Sequence, residues 1–505
     1  MRRVNTSELL VTQLQAAGIG PVFGRLGAAT AGFVASAQRA GLAIVPGSRD
    51  DTCGAMAKAH GQLTGRPGLW LSAPDRAADL LPVLAAAMHD RSPLIALSIQ
   101  AEPAPRWDGM CKGSATLQPH TAADGLRQAL RSATAEPPGP VHLAVTADAL
   151  AASIGHDVPP VPALAAAAGD QPERQPEPVP AWPAARRPVM LLGHAALRAQ
   201  AGPAVRRLAD AWGCPVVVTP LAKGLLSESH PLHAGTLGMA GQALVWRLLH
   251  QADLLLAIGL DATERPTPWP SQRPSLNIGS LFHGEPAPAA DLGRTLDALR
   301  SAHPGPTDWT RAEISTHRQQ LREACDAGRV PGRLNLGDVI DALRAALPVD
   351  ALLTVDGGAH RPLVGQCWTT RRPRQLLMGT RAAASGEALC GAIAAQVLDP
   401  LQPVVCLLGE DGLAMVQAEL RMAAALKLSP TVLVLCDGRP LRAQPAAVPR
   451  VDGIDVALLA QSMGCDGLLV DSVRSLAAAL GAPRASDRPL VIGAFIEPVA
   501  SLDDA

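Results

Sequence analysis

Three points in the last third of the chain set a carboxylate beside glycine directly after an apolar run. They are Thr354-Val355-Asp356-Gly357-Gly358, Leu408-Gly409-Glu410-Asp411-Gly412 and Leu435-Cys436-Asp437-Gly438. Glycine lets backbone amides approach a phosphate closely, and hard carboxylate oxygens suit Mg²⁺. One Asp-Gly pair after a strand is ordinary turn chemistry. With three such ends in one sheet, a phosphate and metal site stands level with the turn reading, because open α/β sheets take their ligands beyond the carboxyl ends of the strands.

The elements that must position these groups follow from periodicity. Short apolar runs alternate with longer Ala/Leu-rich helical stretches along all 505 residues, which predicts parallel sheets covered by helices. The fold class expected is α/β, with three doubly wound parallel-sheet domains. The first spans 1–155, with strands at Leu42–Val45, Leu69–Ser72, Leu94–Ser98 and Val141–Val145. Residues 156–187 are crowded with proline and alanine and read as an extended linker. A second, Rossmann-like unit covers 188–302, with strands at Val189–Gly193, Pro215–Thr219 and Leu254–Gly259. A connection at 303–333 holds a charged helical pattern from Trp309 to Asp326. The third domain, 334–505, has strands at Leu352–Val355, Val404–Leu408, Val432–Leu435, Gly467–Val470 and Leu490–Ile496.

Composition narrows the function classes. Hydrophobic residues are 48% and charged residues 18%, enough apolar material for sizeable cores and too much for a disordered chain. The net charge of −1, from 44 basic and 45 acidic residues, argues against nucleic-acid and anionic-membrane partners. Aromatics are 2% with no tyrosine, which argues against base-stacking platforms. The nine cysteines are scattered, without C-x-x-C pairs or zinc spacing, and read as free thiols in a reducing compartment. No apolar signal region follows Met1-Arg2-Arg3, and no run reaches the roughly 18 apolar residues of a membrane span. The expectation is a soluble cytoplasmic protein. A nicotinamide dehydrogenase has only Gly235-x-x-Gly238-x-x-Gly241 in its favour, and that spacing is wrong for the dinucleotide fingerprint. There is no P-loop, no H-E-x-x-H and no G-x-S-x-G.

The segment from Pro403 to Gly412, then Glu419-Leu420, then Leu433 to Gly438, resembles the thiamin diphosphate signature. That signature is Gly-Asp-Gly, a helix containing Glu-Leu, and a strand ending in Asn-Asn or Asn-Asp. Glu410 and Asp437 stand 27 residues apart, as the motif requires. The branch resembled is the acetolactate synthase-like one, and the likeness extends over nearly the whole chain. It includes Val22-Phe23-Gly24-Arg25-Leu26-Gly27, Leu63-Thr64-Gly65-Arg66-Pro67-Gly68, Asp90-Arg91-Ser92-Pro93-Leu94 and Gly139-Pro140-Val141-His142-Leu143. In the middle unit it includes Lys223-Gly224, His230-Pro231-Leu232, Gly235-Thr236-Leu237-Gly238-Met239 and Ile258-Gly259-Leu260-Asp261. The third domain opens with a matching Thr354-Val355-Asp356-Gly357-Gly358-Ala359-His360.

The resemblance implies a pyrimidine-binding first domain, a spacer-like middle domain and a third domain for diphosphate and Mg²⁺. It places the cofactor between the first domain of one subunit and the third of its neighbour, hence a homodimer or homotetramer. It implies thiamin diphosphate and Mg²⁺ as cofactors and a 2-oxo acid-type small-molecule substrate, with FAD in the middle domain left open. It assigns Asp50 to the place of the family's catalytic glutamate. Gly358, His360, Ser385, Gly386, Gly409, Gly412 and Gly438 fall at cofactor-binding positions, and Glu410, Asp411 and Asp437 at metal-binding ones.

Departures from the pattern are as informative. Asp50 is one methylene shorter than glutamate, which leaves its carboxyl about 1.5 Å short; the competing role for Asp50 and Asp51 is helix N-capping. Ala73-Pro74-Asp75-Arg76 replaces a Gly-Pro-Gly turn, which must change that backbone. The stretch Pro103–Pro119 lacks the family's Phe-Gln-Glu segment, and Ser385 stands where a bulky apolar residue supports the bent cofactor. Glu410 falls on the metal-ligand position and Asp411 on a glycine, so either carboxylate is a candidate ligand. Two functions therefore follow: an acetolactate synthase-like enzyme performing decarboxylation or carboligation, or a catalytically degenerate paralogue acting as a structural or regulatory subunit.

Overall fold

The computed structural model describes residues 4–73, 77–100, 107, 109–154, 185–264, 273–279, 291–303, 305–379, 385–438, 453–482 and 487–499. Strands covered by helices on both faces need no polar side, so they read as unbroken apolar runs. Leu94–Ile99, Pro140–Val145 and Thr431–Cys436 are of this kind and are buried at every position. Three parallel sheets result. The first runs Ile44–Pro46, Val22–Gly24, Gly68–Ser72, Leu94–Ile99, Pro140–Val145 and Gly113–Thr116 in spatial order. The second runs His233–Thr236, Val216–Val218, Pro188–Leu192, Leu254–Ile258 and Ser275–Ile278. The third runs Leu376–Met378, Leu352–Val355, Val404–Gly409, Thr431–Cys436, Leu490–Phe495 and Asp466–Val470. The fold class is α/β, as the sequence predicts. The strands absent from the sequence reading are mostly short edge strands, such as Gly113–Thr116 and Ser275–Ile278, which are partly exposed and carry no long apolar run. Of the expected linker 156–187, residues 156–184 lie outside the described part, as do Pro74, Asp75 and Arg76.

The first and third domains meet along two helices rich in small residues, Asp50–Thr64 and Glu387–Leu398. Within the first domain, a Cβ at Gly61 would lie 2.2 Å from the Pro93 carbonyl oxygen, so only glycine lets the first of these helices pass there. Met56 and Ala59 join Ala388, Ala392 and Ala395 in one apolar cluster shared by the two domains. The first and third domains of one chain thus share a packed apolar seam.

The expectation that every cysteine is free fails at one pair. Cys325, on the helix Arg311–Asp326, is bonded to Cys367 at the end of the helix Arg361–Cys367, with the Cα atoms 6.6 Å apart. A gap of 42 residues carries no local signature, so the pairing is a product of tertiary packing. The other seven cysteines are free and buried. Among the described residues no helix is long and apolar enough to cross a membrane.

Candidate functional site

The site is built where strands of the third sheet end. Leu352–Val355 delivers Asp356, a buried residue whose Oδ2 accepts the Gly386 amide at 2.6 Å. Gly386, at φ 93°, is the N-cap of the helix Glu387–Leu398. Its left-handed backbone and bare Cα let the helix Glu410–Ala425 pass close by: a Cβ there would lie 2.3 Å from Val416 Cγ1. That second helix is kinked at Val416, which has φ −129°. Gly412 closes the same cluster, since its Cβ would lie 2.2 Å from Asp356 Oδ2.

Two polar atoms in this corner have no hydrogen-bond partner among the described residues. Asp356 Oδ1 and His360 Nε2 are both buried and unsatisfied. Burial pushes the Asp356 carboxyl up to about 6, and burial holds the His360 imidazole down at about 4. Buried polar atoms left unpaired are costly and mark sites that a ligand or water completes. Gly358 lies against the His360 ring.

At the next strand ends, Gly409 is the N-cap of the helix Glu410–Ala425, and Asp437 and Gly438 follow the neighbouring strand Thr431–Cys436. Glu410 Oε1 accepts the Ile454 amide at 3.2 Å. Burial raises the Glu410 carboxyl, and Asp437 and Asp411 nearby add to the effect. A cation here would relieve that repulsion. Among the described residues, no group of three or more His, Cys, Asp or Glu side chains converges on one point. A Mg²⁺ would therefore take one or two carboxylates, with phosphate and water oxygens completing its shell, which is how that ion is usually held. In those terms the residues fit a diphosphate and its metal. Ser385, next to Gly386, is exposed.

The first domain faces this corner through the start of the helix Asp50–Thr64. Its N-cap is Arg49, without a side-chain cap bond, and Asp50 is the first helical residue. The capping alternative for Asp50 is accordingly not what the geometry shows. Asp50 Oδ1 is buried and unsatisfied among the described residues. Burial raises the Asp50 carboxyl, with Ser72 and Arg25 pulling the other way. On either side of Asp50, the domain seam is sewn to Glu419 of the kinked helix. Glu419 Oε1 accepts the Ser48 amide at 2.9 Å, the Thr52 hydroxyl at 2.6 Å and the Ser48 hydroxyl. Glu419 is fully buried and its Oε2 has no partner.

Sequence reasoning quoted Glu419 only as part of a motif and passed over Lys58. Lys58 Nζ lies 2.8 Å from Asp90 and 2.8 Å from Glu387, joining the two domains one residue from Gly386. Its helix also carries Asp50, Asp51, His60 and Gln62, so no local signal sets Lys58 apart.

In the middle domain the crevice at the strand-order switch, between Pro188–Leu192 and Leu254–Ile258, holds a carboxylate of the chain itself. Glu264 Oε2 accepts the His194 amide at 2.9 Å and the Asp261 amide at 3.1 Å, and Oε1 meets the Thr219 hydroxyl. Burial pushes the Glu264 carboxyl up to about 7.

Comparison with known proteins matches this arrangement domain by domain. Residues 4–113 match the thiamine pyrophosphate enzyme N-terminal TPP binding domain, 183–281 the central domain and 356–494 the C-terminal TPP binding domain. The chain is 25% identical to a "Probable 2-ketoarginine decarboxylase" of Pseudomonas aeruginosa, over 92% of this chain and 89% of that one. It is 26% identical to the catabolic acetolactate synthase of Raoultella terrigena, over 96% and 94%. It is also 26% identical to an acetolactate synthase of Bacillus subtilis, over 96% and 92%. Matched in chain order across all three sheets, the chain belongs to the thiamine pyrophosphate enzyme family, in its acetolactate synthase-like branch.

Proposed function

We propose that the chain is a thiamin diphosphate- and Mg²⁺-dependent enzyme that decarboxylates or ligates a 2-oxo acid, working in the cytoplasm as a homodimer or homotetramer. The observation that carries this reading is the set of unmet buried polar atoms where the first and third domains meet: Asp50 Oδ1, Asp356 Oδ1, His360 Nε2 and Glu419 Oε2. The cofactor, when bound, supplies an electron sink beside the substrate carbonyl. Gly358, His360, Ser385, Gly386, Gly409, Gly412 and Gly438 would line its diphosphate. Glu410 and Asp437 would hold the cation, with Asp411 the alternative to Glu410. Asp50 would hold a proton against the pyrimidine ring, a role suited to a carboxyl whose proton affinity burial has raised. The relatives named for a 2-keto acid decarboxylase and for acetolactate synthases support the substrate class. Seven buried free thiols support a reducing compartment, and the Cys325–Cys367 disulfide is the observation that stands against it.

The test is calorimetric titration of thiamin diphosphate into metal-stripped protein with and without Mg²⁺. Wild type is expected to bind only with Mg²⁺, and Asp437→Ala to lose binding while staying folded. Equal binding by both proteins removes Asp437 from the site. Absence of binding at millimolar cofactor favours the degenerate-subunit reading. That reading draws on Asp50 standing in for glutamate.

A further inference from the structure

A cavity of about 350 Å³ lies away from the strand-end site, between the middle domain, the helix Arg311–Asp326 and the third domain. Its walls include His233, Arg318, Arg322, Gln366 and the Cys325–Cys367 disulfide. Three guanidinium groups, of Arg318, Arg322 and Arg329, line it with three carboxylates, of Glu228, Asp326 and Asp341, but the pairing among them is uneven. Asp326 and Asp341 both lie on Arg329, at 2.6 and 2.9 Å, and Arg329 is shared with Asp338 at 2.8 Å. Glu228 is paired with Lys223 at 2.5 Å and accepts both the amide and the hydroxyl of Thr370. That leaves Arg318 and Arg322, one turn apart on one helix, with no carboxylate partner among the described residues. Arg318 donates to the carbonyls of His230, at 2.7 Å, and Glu228, at 3.3 Å, which uses two of its five N–H donors. Arg322 is exposed and makes no ion pair or hydrogen bond among the described residues.

Two further groups in the same walls lack partners. His233 is 8% exposed, and its Nε2 is buried without a hydrogen bond. Burial, with Lys223 and Arg318 nearby, holds that imidazole well below its usual range, so it is neutral at pH 7. Gln366 spends its Oε1 on the Thr236 amide at 3.0 Å, which leaves its amide N–H groups without a partner among the described residues. Burial and the adjacent Arg322 also lower the Arg318 guanidinium. Like charges at this spacing repel in the absence of a counter-ion, and paired guanidinium forks match the oxygens of carboxylates and phosphates.

We propose that this cavity is a binding site for a small organic dianion, phosphorylated or dicarboxylic, gripped by Arg318 and Arg322 against Gln366. The ligand ties the middle domain to the third through the Arg311–Asp326 helix, so occupancy stabilises the joined pair. The site is independent of the cofactor site, and nothing in its geometry uses Asp356, Glu410 or Asp437.

The probes are inorganic phosphate and succinate, titrated separately by calorimetry into the full-length protein at about 0.15 M salt, where loose surface attraction is screened. Saturable one-to-one binding of either probe is expected, with the transition temperature rising with probe concentration as linkage requires. Phosphate alone assigns a phosphorylated ligand, and succinate alone a dicarboxylate. Arg322→Gln is the deciding variant, since Arg322 is exposed and supports no other group. It should weaken binding at least about tenfold, the equivalent of ~1.4 kcal/mol. Binding of neither probe at millimolar concentration overturns the proposal, and so does equal binding by wild type and Arg322→Gln.

Discussion

Replacing Lys58 by methionine tests whether the seam between the first and third domains depends on one buried cation. Lys58 has 4% of its side chain exposed, and its two carboxylate partners, Asp90 and Glu387, have 1% and 14%. Methionine keeps the volume and removes the charge, leaving two carboxylates packed together without a counter-ion. Breaking a buried pair in this way costs about 3–5 kcal/mol, against about 0–1 for a surface pair. Without the ammonium the two carboxylates repel when both are ionised, so protonating either one stabilises the folded variant. Stability from such a group is fully present below the unfolded pKa and is lost as pH rises through the folded one. The deficit of Lys58→Met should therefore be largest at pH 7 and above and should shrink toward pH 4. Denaturant unfolding followed by tryptophan fluorescence measures it, because Trp70 is buried in the first domain against Gly54 of the same helix. The triple variant Lys58→Met, Asp90→Asn, Glu387→Gln removes every charge and should recover most of the loss. A deficit below about 1 kcal/mol at pH 7, or one that does not change with pH, would refute the reasoning.

Other outcomes are equally open to measurement. Asp50→Glu should speed hydrogen exchange at the thiazolium C2 of added cofactor by up to about a hundredfold, because a misplacement of about 1 Å carries that factor; exchange unchanged or slowed, read by quenched-flow NMR, removes the short-arm explanation. Glu264→Gln reproduces the protonated form of a carboxyl raised to about 7 from an ordinary 4.5. The stability that Glu264 contributes is present below its unfolded pKa and is lost as pH rises through about 7, so the variant should show a flatter stability profile across that window, by on the order of 3 kcal/mol. A profile parallel to wild type in thermal melts would contradict this. Cys367→Ser opens a loop of 42 residues, and chain entropy alone predicts a loss of about 4 kcal/mol; an unchanged denaturation midpoint would mean that the pair adds nothing to the fold.

The central strands were legible because burial on both faces writes them as continuous Val/Leu/Ile runs; Leu352–Val355 was bounded to the residue. Edge strands such as Gly113–Thr116 were not, since three of their four residues are exposed and carry no apolar run. The strand-end carboxylates were legible because glycine and acid recur at the point where the chain leaves the sheet. The partners of those groups were not. Glu419 finds Ser48 and Thr52 more than 360 residues away in sequence, and nothing local specifies the meeting. Lys58, Glu264 and the Cys325–Cys367 pair share that character: each is an unremarkable residue until folding supplies its neighbours. The helix cap proposed for Asp50 was a sound local expectation that fails by one position, because Arg49 takes the cap.

Glu264 has one more consequence. Two backbone amides, of His194 and Asp261, and the Thr219 hydroxyl converge on a carboxylate that the chain itself provides. The middle domain thus carries a tethered carboxyl group in an otherwise generic receptor, held at a high effective concentration. Cutting the tether, as Glu264→Ala does, would turn a structural contact into a vacant receptor. Formate or acetate added to that protein would then act as the missing side chain, and the melting temperature would become a titration curve for a ligand that the natural protein never has to find.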